Sequence, residues 1–189
     1  MNKMKNEIRR RILALRKAMP EYLLKEKSKI ITEKVIAHPA YQQAELMLCY
    51  IDAKGEVMTS NLIEHAWKSG KKVAVPKVQG EEMNFYYISD TKQLAKGYQG
   101  ILEPVTTECA DGKSGLFLLP GLAFDRFLHR CGYGGGFYDR YLKKHADVSL
   151  KKVAVAYDFQ IYEKIPVEEH DEKIDLLISE KEVLGRKLV

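Results

Sequence analysis

A glycine-rich run, Gly132 to Gly136, is the stretch of this sequence best suited to binding a ligand. The aromatic residues Phe137 and Tyr138 follow it at positions that fit the first turn of a helix. Backbone N–H groups at such a junction can close on an anion, and the helix N-terminus adds a partial positive charge. The run therefore predicts a phosphate site, although glycines of this kind also form tight turns that bind nothing.

Charged residues on both sides of the glycine run strengthen this prediction. Asp125 and Arg130 precede the run, and Asp139 and Arg140 follow it. Two carboxylates and two guanidinium groups suit a phosphate and its metal ion. The run is not a P-loop, because no Gly-Lys-Ser/Thr follows it, and it lacks the Gly-x-Gly-x-x-Gly spacing of a dinucleotide-binding fingerprint.

The same segment resembles the signature of the 5-formyltetrahydrofolate cyclo-ligase family, whose members are also called 5,10-methenyltetrahydrofolate synthetases. The residues that carry the resemblance are Pro120-Gly121, Phe124-Asp125 and Arg130-x-Gly132-x-Gly134-x-Gly136-x-Tyr138-Asp139. The likeness extends to Lys5-x-x-Ile8-Arg9, Glu56 and His170-Asp171. It therefore covers nearly the whole chain.

This sequence departs from the family pattern near the glycine run. Cys131 stands where the family usually has leucine, and Phe137 stands where it usually has tyrosine. Neither departure removes a charge. Phe127-Leu128 also replaces a glycine that is common in the family, so the turn from Asp125 to Arg130 must form here without it.

The resemblance implies a set of residues for each ligand. Those that would bind ATP are Lys5, Arg9, Arg130, Cys131, Gly132, Tyr133, Gly134, Gly135, Gly136, Phe137 and Tyr138. Those that would bind the folate are Ile51, Glu56, Tyr133, Gly134, Gly135, Gly136 and Phe137. A carboxylate such as Glu56 can accept paired N–H bonds from the edge of a pterin. Asp139 and Asp171 would hold a magnesium ion, which prefers one or two carboxylates plus phosphate oxygens.

The activity that the resemblance implies is the ATP-dependent closure of 5-formyltetrahydrofolate to 5,10-methenyltetrahydrofolate, with ADP and phosphate as products. ATP would phosphorylate the formyl oxygen, and N10 of the folate would then attack the activated carbon. Phosphoryl transfer depends mainly on alignment and charge neutralisation, so we expect no covalent intermediate with the protein. The expected partners are ATP and the folate, with or without a polyglutamate tail. The protein itself is expected to be a monomer.

Apolar periodicity predicts the elements that would position these residues. Ile8, Ile12 and Leu15 recur at helical spacing and predict an amphipathic helix from Lys5 to Ala18. Lys5 and Arg9 share a face of this helix. The other basic residues, Arg10, Arg16 and Lys17, are expected on its solvated faces.

Alternating helices and apolar strands predict an α/β fold: a three-layer α/β/α sandwich with a mostly parallel, Rossmann-like sheet. The predicted strands are Leu46–Ile51, Lys72–Val75, Met83–Ile88, Leu116–Leu119, Lys152–Tyr157 and Ile174–Ser179. Thr91 to Gly115 has no sustained period and is predicted to be an irregular surface loop that borders the ligand cleft. The site is expected at the carboxyl ends of the strands.

Composition limits the class of protein. The 189 residues, 46% hydrophobic and 30% charged, suit one soluble domain spanning residues 1–189. No apolar run approaches the roughly 20 residues that cross a bilayer. The basic N-terminus opens a helix and is not a secretory signal. The three cysteines form neither a disulfide framework nor a zinc site, so a cytoplasmic location and no membrane partner are expected.

Other functions remain open on the sequence. The net charge of +5 suits an anionic ligand, and because the basic residues are dispersed we expect no nucleic-acid partner. The main alternative is a folate- or nucleotide-binding protein that has lost turnover. Cys131 and Phe137, which depart from the family pattern, are the features that allow this alternative. A sugar-phosphate isomerase would need a general base, for which Glu56 and His170 are the candidates.

Overall fold

A mostly parallel sheet forms the centre of the protein, in a computed structural model that describes residues 2–110, 114–168 and 171–185. The described strands are β1 (Leu46–Cys49), β2 (Lys72–Gln79), β3 (Glu82–Ile88), β4 (Leu94–Lys96), β5 (Leu102–Pro104), β6 (Ser114–Leu119), β7 (Ala123–Asp125), β8 (Arg130–Cys131), β9 (Ser149–Val155), β10 (Ile161–Tyr162), β11 (Leu176–Ile178) and β12 (Val183–Gly185). The described helices are α1 (Asn2–Ala18), α2 (Glu21–Ala37), α3 (Pro39–Gln42), α4 (Ser60–Lys68) and α5 (Phe137–Lys144).

The central sheet has the strand order β12-β11-β9-β6-β1-β2-β3. Neighbours from β11 to β2 run parallel, whereas β3 and β12 add antiparallel edges. Every residue of β1 is buried, as are the last four of β6. Strands of this kind are apolar throughout because both faces of the sheet are covered.

Helices cover the two faces of the sheet and make a three-layer α/β/α sandwich, which confirms the predicted fold class. On one face, Val35 of α2 and Leu62 of α4 pack with Leu116 of β6. On the other face, Tyr141 and Leu142 of α5 belong to the second apolar cluster. None of the described helices is long and apolar enough to cross a membrane.

The strand order reverses direction beside β1. From β1 the chain goes to β2 and β3 on one side, and then crosses to β6 on the other side. The loops that leave β1 and β6 therefore diverge and open a crevice at the carboxyl ends of these strands. Open α/β sheets bind their ligands at such switch points.

The prediction of an irregular loop from Thr91 to Gly115 is partly wrong, because β4 and β5 form an antiparallel hairpin within it. The hairpin is held by a side chain that periodicity does not reveal. Glu103 accepts a hydrogen bond from the Val78 N–H at 3.0 Å. A Cβ atom added to Gly97 would lie 2.1 Å from a carboxylate oxygen of Glu103, so Gly97 leaves the space for this contact.

The turn between Asp125 and Arg130 forms around a leucine in the left-handed region. Leu128 has φ 66° and is 6% exposed, so its strained backbone is combined with a buried side chain. The Asp125 carboxylate braces the turn by accepting hydrogen bonds from the N–H groups of Phe127 and His129, each at 3.0 Å. The turn thus forms without glycine.

Candidate functional site

A cleft of about 490 Å³ opens at the carboxyl ends of β1 and β6. Every residue predicted for the ligands lines it: Lys5, Arg9, Ile51, Glu56, Arg130, Cys131, Gly132, Tyr133, Gly134, Gly135, Gly136, Phe137, Tyr138, Asp139 and Asp171. The fold brings these residues together from both ends of the chain, since Lys5 and Asp171 are 166 positions apart and hydrogen-bonded. His170 lies outside the described residues.

The glycine loop needs glycine for its backbone conformation. Gly134 has φ 100° and Gly136 has φ 67°, which L side chains rarely adopt. Gly136 directly precedes α5, so the loop leads into a helix N-terminus as the sequence predicted. Arg9 reaches across from α1 and donates to the Gly132 carbonyl at 2.9 Å, which brings a cation to the loop.

Lys5 supplies a second cation from α1. Its Nζ atom lies 2.6 Å from Asp171 and 3.2 Å from Glu168. Burial alone would lower the pKa of Lys5, but its hydrogen bonds to Asp171 and Glu168 outweigh that effect and raise the pKa. The side chain therefore stays protonated at neutral pH and presents positive charge to the cleft.

Arg130 supplies a third cation and is held from β8. Its guanidinium donates to Asp139 at 2.7 Å and to the Pro120 carbonyl at 3.3 Å. The guanidinium also lies over the Tyr138 ring, 5.7 Å from the centroid. Its buried Nε atom has no hydrogen-bond partner within the part of the chain that the structure describes.

Glu56 is fixed at the carboxyl end of β1 through both backbone and side chain. Tyr157 donates to the Glu56 carbonyl at 3.0 Å, and Tyr50 donates to the Val57 carbonyl at 2.8 Å. The carboxylate accepts bonds from the Ala53 N–H at 2.9 Å and from the Tyr133 hydroxyl at 2.7 Å. Each carboxylate oxygen therefore has one partner and keeps further acceptor capacity.

The electrostatic setting of Glu56 is finely balanced. Burial raises its pKa above the usual range, while the hydrogen bond from Tyr133, the charge of Arg16 and the bond from Ala53 act against the rise. Burial also raises the pKa of Tyr133, so this phenol keeps its proton and donates it. The Glu56 carboxyl group is therefore buried beside a neutral hydrogen-bond donor, the Tyr133 hydroxyl.

Arg16 is the residue that sequence reasoning missed. It was expected on a solvated face of α1, yet it is 3% exposed and donates to the Tyr133 hydroxyl and the Gly121 carbonyl, each at 2.6 Å. A signal was available in its spacing. Arg9, Ile12 and Arg16 recur at i, i+3 and i+7, which places Arg16 on the buried stripe of the helix.

Two of the charges grouped with the glycine run do not belong to the cleft. Asp125 is fully buried and binds the backbone of its own turn, together with the His129 ring and the Ile165 N–H. Arg140 is exposed and donates to the carbonyls of Gly135 and Glu81. Sequence proximity suggested ligand roles, but strand β7 and helix α5 point these side chains elsewhere.

The departures from the family pattern leave the cleft intact. Cys131 lies in β8 and is 2% exposed, and burial raises the pKa of its thiol, so it is an unreactive neutral group. The Phe137 ring contacts the Tyr98 ring with centroids 5.8 Å apart. Phe137 thus packs against the tip of the β4–β5 hairpin, a contact that needs no hydroxyl group.

The hairpin tip forms one wall of the cleft, as expected for the segment from Thr91 to Gly115. Tyr98, Gln99 and Ile101 line the cleft there. Gln99 accepts a hydrogen bond from Lys54 at 2.9 Å, which connects the tip to the loop after β1. No local pattern marked these residues, because they belong to a short turn whose position depends on Glu103.

The carboxylates of the cleft suit one kind of metal ion. Asp139, Asp171 and Glu168 bring oxygen donors, which magnesium prefers. The two aspartates are each bound by a cation, Arg130 or Lys5. Within the described ranges, no group of three or more His, Cys, Asp or Glu side chains could hold a metal. Magnesium takes one or two carboxylates from a protein when phosphate and water oxygens complete its shell, and Asp139 and Asp171 fit that donor set.

Comparison with known proteins yields one consistent group. The sequence matches the model of the 5-formyltetrahydrofolate cyclo-ligase family over residues 1–180. It is 33% identical to the 5-formyltetrahydrofolate cyclo-ligase of Mus musculus, over 81% of this chain and 82% of that protein. It is 32% identical to the mitochondrial 5-formyltetrahydrofolate cyclo-ligase of Arabidopsis thaliana, over 94% of this chain and 74% of that protein.

A solved structure gives the same result. The NMR structure of the 5,10-methenyltetrahydrofolate synthetase of Aquifex aeolicus superposes with a TM-score of 0.86 at 32% sequence identity. The superposition covers 97% of this chain and 93% of the other. The similarity therefore extends over the cleft as well as the sheet.

Proposed function

The chain belongs to the 5-formyltetrahydrofolate cyclo-ligase family, and from this premise we propose that it closes 5-formyltetrahydrofolate to 5,10-methenyltetrahydrofolate at the expense of ATP. The products are ADP and phosphate. The observation that carries the proposal is the gathering of every expected ligand-binding residue around one cleft at the switch point of the sheet.

The reaction needs an activated formyl group. A formyl amide is a poor electrophile, and its oxygen is a poor leaving group. Transfer of the γ-phosphoryl group of ATP to that oxygen converts it to a phosphate ester on a cationic N5 imidate. The lone pair of N10 then attacks the carbon, the C–O bond breaks, and phosphate departs with the bonding electrons. N10 loses its proton as the ring forms.

The cations around the glycine loop bind the phosphates of ATP. Lys5, Arg9 and Arg130 approach the loop from α1 and β8, and the loop amides and the N-terminus of α5 complete an anion-binding surface. Lys5 and Arg130 are paired with carboxylates of the cleft. When ATP binds, both cations turn from these carboxylates to phosphate oxygens, which leaves the two carboxylates free to bind a cation that arrives with ATP.

Asp139 and Asp171 are the residues that would hold magnesium, and the ion would neutralise charge on the phosphates. Release of these two carboxylates from Arg130 and Lys5 makes them available at the same time as the cations engage ATP. The chain's own contribution to catalysis is therefore alignment and charge balance.

The folate half of the cleft is centred on Glu56. Its carboxylate oxygens have acceptor capacity left for N–H groups of a pterin, and Ile51 offers an apolar surface beside it. Among the three cysteines only Cys131 lines the cleft, and its thiol is protonated. The proposal therefore retains direct transfer to the folate without a covalent intermediate on the protein.

The rival functions find less support. A protein that has lost turnover would tolerate loss of Asp139 and Asp171, yet both are present and both line the cleft. An isomerase would need a mobile general base, whereas the Glu56 carboxylate is engaged by Tyr133 and Ala53. Neither rival explains why the cations and the carboxylates are arranged as exchangeable pairs.

Turnover can be tested by the near-ultraviolet absorbance of the methenyl product. Protein, 5-formyltetrahydrofolate, ATP and magnesium together should produce the signal, and omission of any one should abolish it. Asp139→Asn should lower the rate by at least about 100-fold, because a charge-assisted contact in phosphoryl transfer is lost. Asp147→Asn, an exposed aspartate beyond α5, is the matched control and should keep the wild-type rate. Bound ATP and folate without any product would contradict the proposal.

A further inference from the structure

Arg16 is a buried cation that lies behind the cleft. It is 3% exposed and is not among the residues that line the cleft, so its guanidinium does not face a ligand directly. Burying a charge is costly unless hydrogen bonds satisfy it. The two bonds that Arg16 makes therefore decide what it does.

The first bond orients a phenol. Arg16 Nη1 donates to the Tyr133 hydroxyl at 2.6 Å, and that hydroxyl lies 2.7 Å from Glu56 Oε1. A guanidinium can only donate, so the tyrosine oxygen must accept from it. The phenolic proton is then left to point at Glu56. Arg16 thus sets the direction of the hydrogen bond that joins the glycine loop to the carboxylate.

The second bond connects Arg16 to the segment that follows β6 of the central sheet. Arg16 Nη2 donates to the Gly121 carbonyl at 2.6 Å, two residues beyond the end of β6. Gly55 lies against the same arginine, where an added Cβ atom would be 3.1 Å from the Arg16 Cβ atom. One side chain therefore contacts the segments that follow β1 and β6 and the glycine loop.

The charge of Arg16 also acts on Glu56. Burial raises the pKa of Glu56, and the positive charge of Arg16 is among the effects that oppose this rise. An ionised Glu56 accepts hydrogen bonds, whereas a protonated one would present a donor to the pterin. The contribution of Arg16 therefore favours the acceptor form.

We propose that Arg16 is a positioning residue for the folate half of the site: it holds the Tyr133 hydroxyl toward Glu56 and thereby fixes both side chains against the pterin. The proposal rests on the proposed function and deepens it. A planar guanidinium reaches Tyr133 and Gly121 at once, whereas the ammonium of a lysine is a single point of donation. Arg16→Lys should therefore retain only part of the effect.

The test is a double-mutant cycle on ligand binding. Arg16→Gln, Tyr133→Phe and the double variant are titrated with 5-formyltetrahydrofolate and, separately, with a non-hydrolysable ATP analogue. Arg16→Gln should weaken folate binding by roughly 10- to 100-fold, as expected when a hydrogen bond to a buried charge is lost. The analogue's affinity should change by less than about threefold. In the Tyr133→Phe background, Arg16→Gln should weaken folate binding by much less.

Controls separate positioning from bracing of the fold. Arg10→Gln removes an exposed cation of the same helix and should leave folate affinity unchanged. Arg16→Lys should bind folate with an affinity between those of wild type and Arg16→Gln, and it replaces Arg16→Gln in the cycle if that variant does not fold. The pH below which folate affinity is lost should be higher in Arg16→Gln, because removing the cation raises the pKa of Glu56 further.

Two outcomes would overturn the inference alone. Equal losses of folate and nucleotide affinity that follow the loss of thermal stability would make Arg16 a general brace. Additive effects of Arg16→Gln and Tyr133→Phe on folate binding would remove the proposed link between them. Wild-type protein that binds no folate would instead overturn the proposed function together with this inference.

Discussion

At the residue scale, the buried cations Lys5 and Arg130 contact carboxylates of the cleft, and Arg16 acts on Glu56 from behind the cleft. Lys5 binds Asp171, Arg130 binds Asp139, and Arg16 reaches Glu56 through Tyr133. Removing one member of such a pair leaves the other charge buried and uncompensated, which typically costs about 3–5 kcal/mol. The resemblance named Lys5, Arg130, Asp139, Asp171, Glu56 and Tyr133 but neither Arg16 nor these pairs, because pairing depends on how distant segments meet.

Glu56 should make stability depend on pH. Burial raises its folded-state pKa above the unfolded value near 4.5. The folded protein then binds the proton more tightly, so the stability contributed by Glu56 is present below pH 4.5 and is lost as pH rises through the folded pKa. Glu56→Gln cannot ionise. Denaturant unfolding should show wild type losing stability relative to Glu56→Gln as pH rises above 4.5 and through the folded-state pKa of Glu56.

An exposed glutamate provides the control for this comparison. Glu64 is exposed on α4, and the stability of the Glu64→Gln variant should show the same pH dependence as that of wild type. A constant difference in unfolding free energy between wild type and Glu56→Gln across this pH range would contradict the account of Glu56.

Gly136 should be required for ATP binding through its backbone. Its φ of 67° is strained for alanine by roughly 1–2 kcal/mol, and the new Cβ atom would meet Arg140 at 2.7 Å. Gly136→Ala should therefore displace the loop amides and lower affinity for an ATP analogue by roughly tenfold. Gly80→Ala is a matched control, since Gly80 has φ 64° in the β2–β3 turn with nothing within 4 Å of the added atom.

Both alanine variants should lose similar stability, and only Gly136→Ala should lose affinity. Calorimetric titration with the analogue, beside thermal unfolding, separates the two effects. Full affinity in a folded Gly136→Ala protein would show that the loop backbone does not hold the phosphates.

At the element scale, the sequence predicted the parts of the fold that are specified by apolar periodicity. The six predicted strands of the central sheet (β1, β2, β3, β6, β9 and β11) and helices α2, α4 and α5 bury continuous or periodic apolar residues. The edge strand β12 was not predicted, and of the apolar stripe predicted for α1 Ile12 is fully buried whereas Leu15 is exposed. The β4–β5 hairpin escaped prediction because its position depends on Glu103 and Gly97, a contact between side chain and backbone that has no period. The turn at Leu128 likewise depends on the Asp125 carboxylate.

Leu128→Gly places two effects in opposition. Glycine would relieve left-handed strain of roughly 1–2 kcal/mol, but it would remove a buried leucine side chain, which typically contributes about 2–5 kcal/mol. We expect a net loss of about 1–3 kcal/mol in the free energy of unfolding, measured with urea. Gln99→Gly, at φ 53° with an exposed side chain, should be close to neutral. A stabilised Leu128→Gly protein would show that strain outweighs packing here.

At the scale of the whole molecule, the reversal of strand order beside β1 determines where chemistry can occur. It opens the cleft between the loops after β1 and β6, and α1 and the segment around Asp171 close it from both ends of the chain. The alternation of helices and strands predicted the sheet and the end of it that carries the site. It did not indicate that α1 would bury Arg16, which only the helical spacing of Arg16 with Ile12 could have suggested, because the covered face depends on how α1 packs against β7.

The central claim is that ATP converts the formyl oxygen into a leaving group. It is tested most directly with 5-formyltetrahydrofolate carrying ¹⁸O in the formyl group, followed by mass spectrometry of the phosphate released per methenyl group formed. Each phosphate should carry one ¹⁸O atom and ADP none, after correction for exchange without ATP. Unlabelled phosphate, with the ¹⁸O recovered in water, would contradict it.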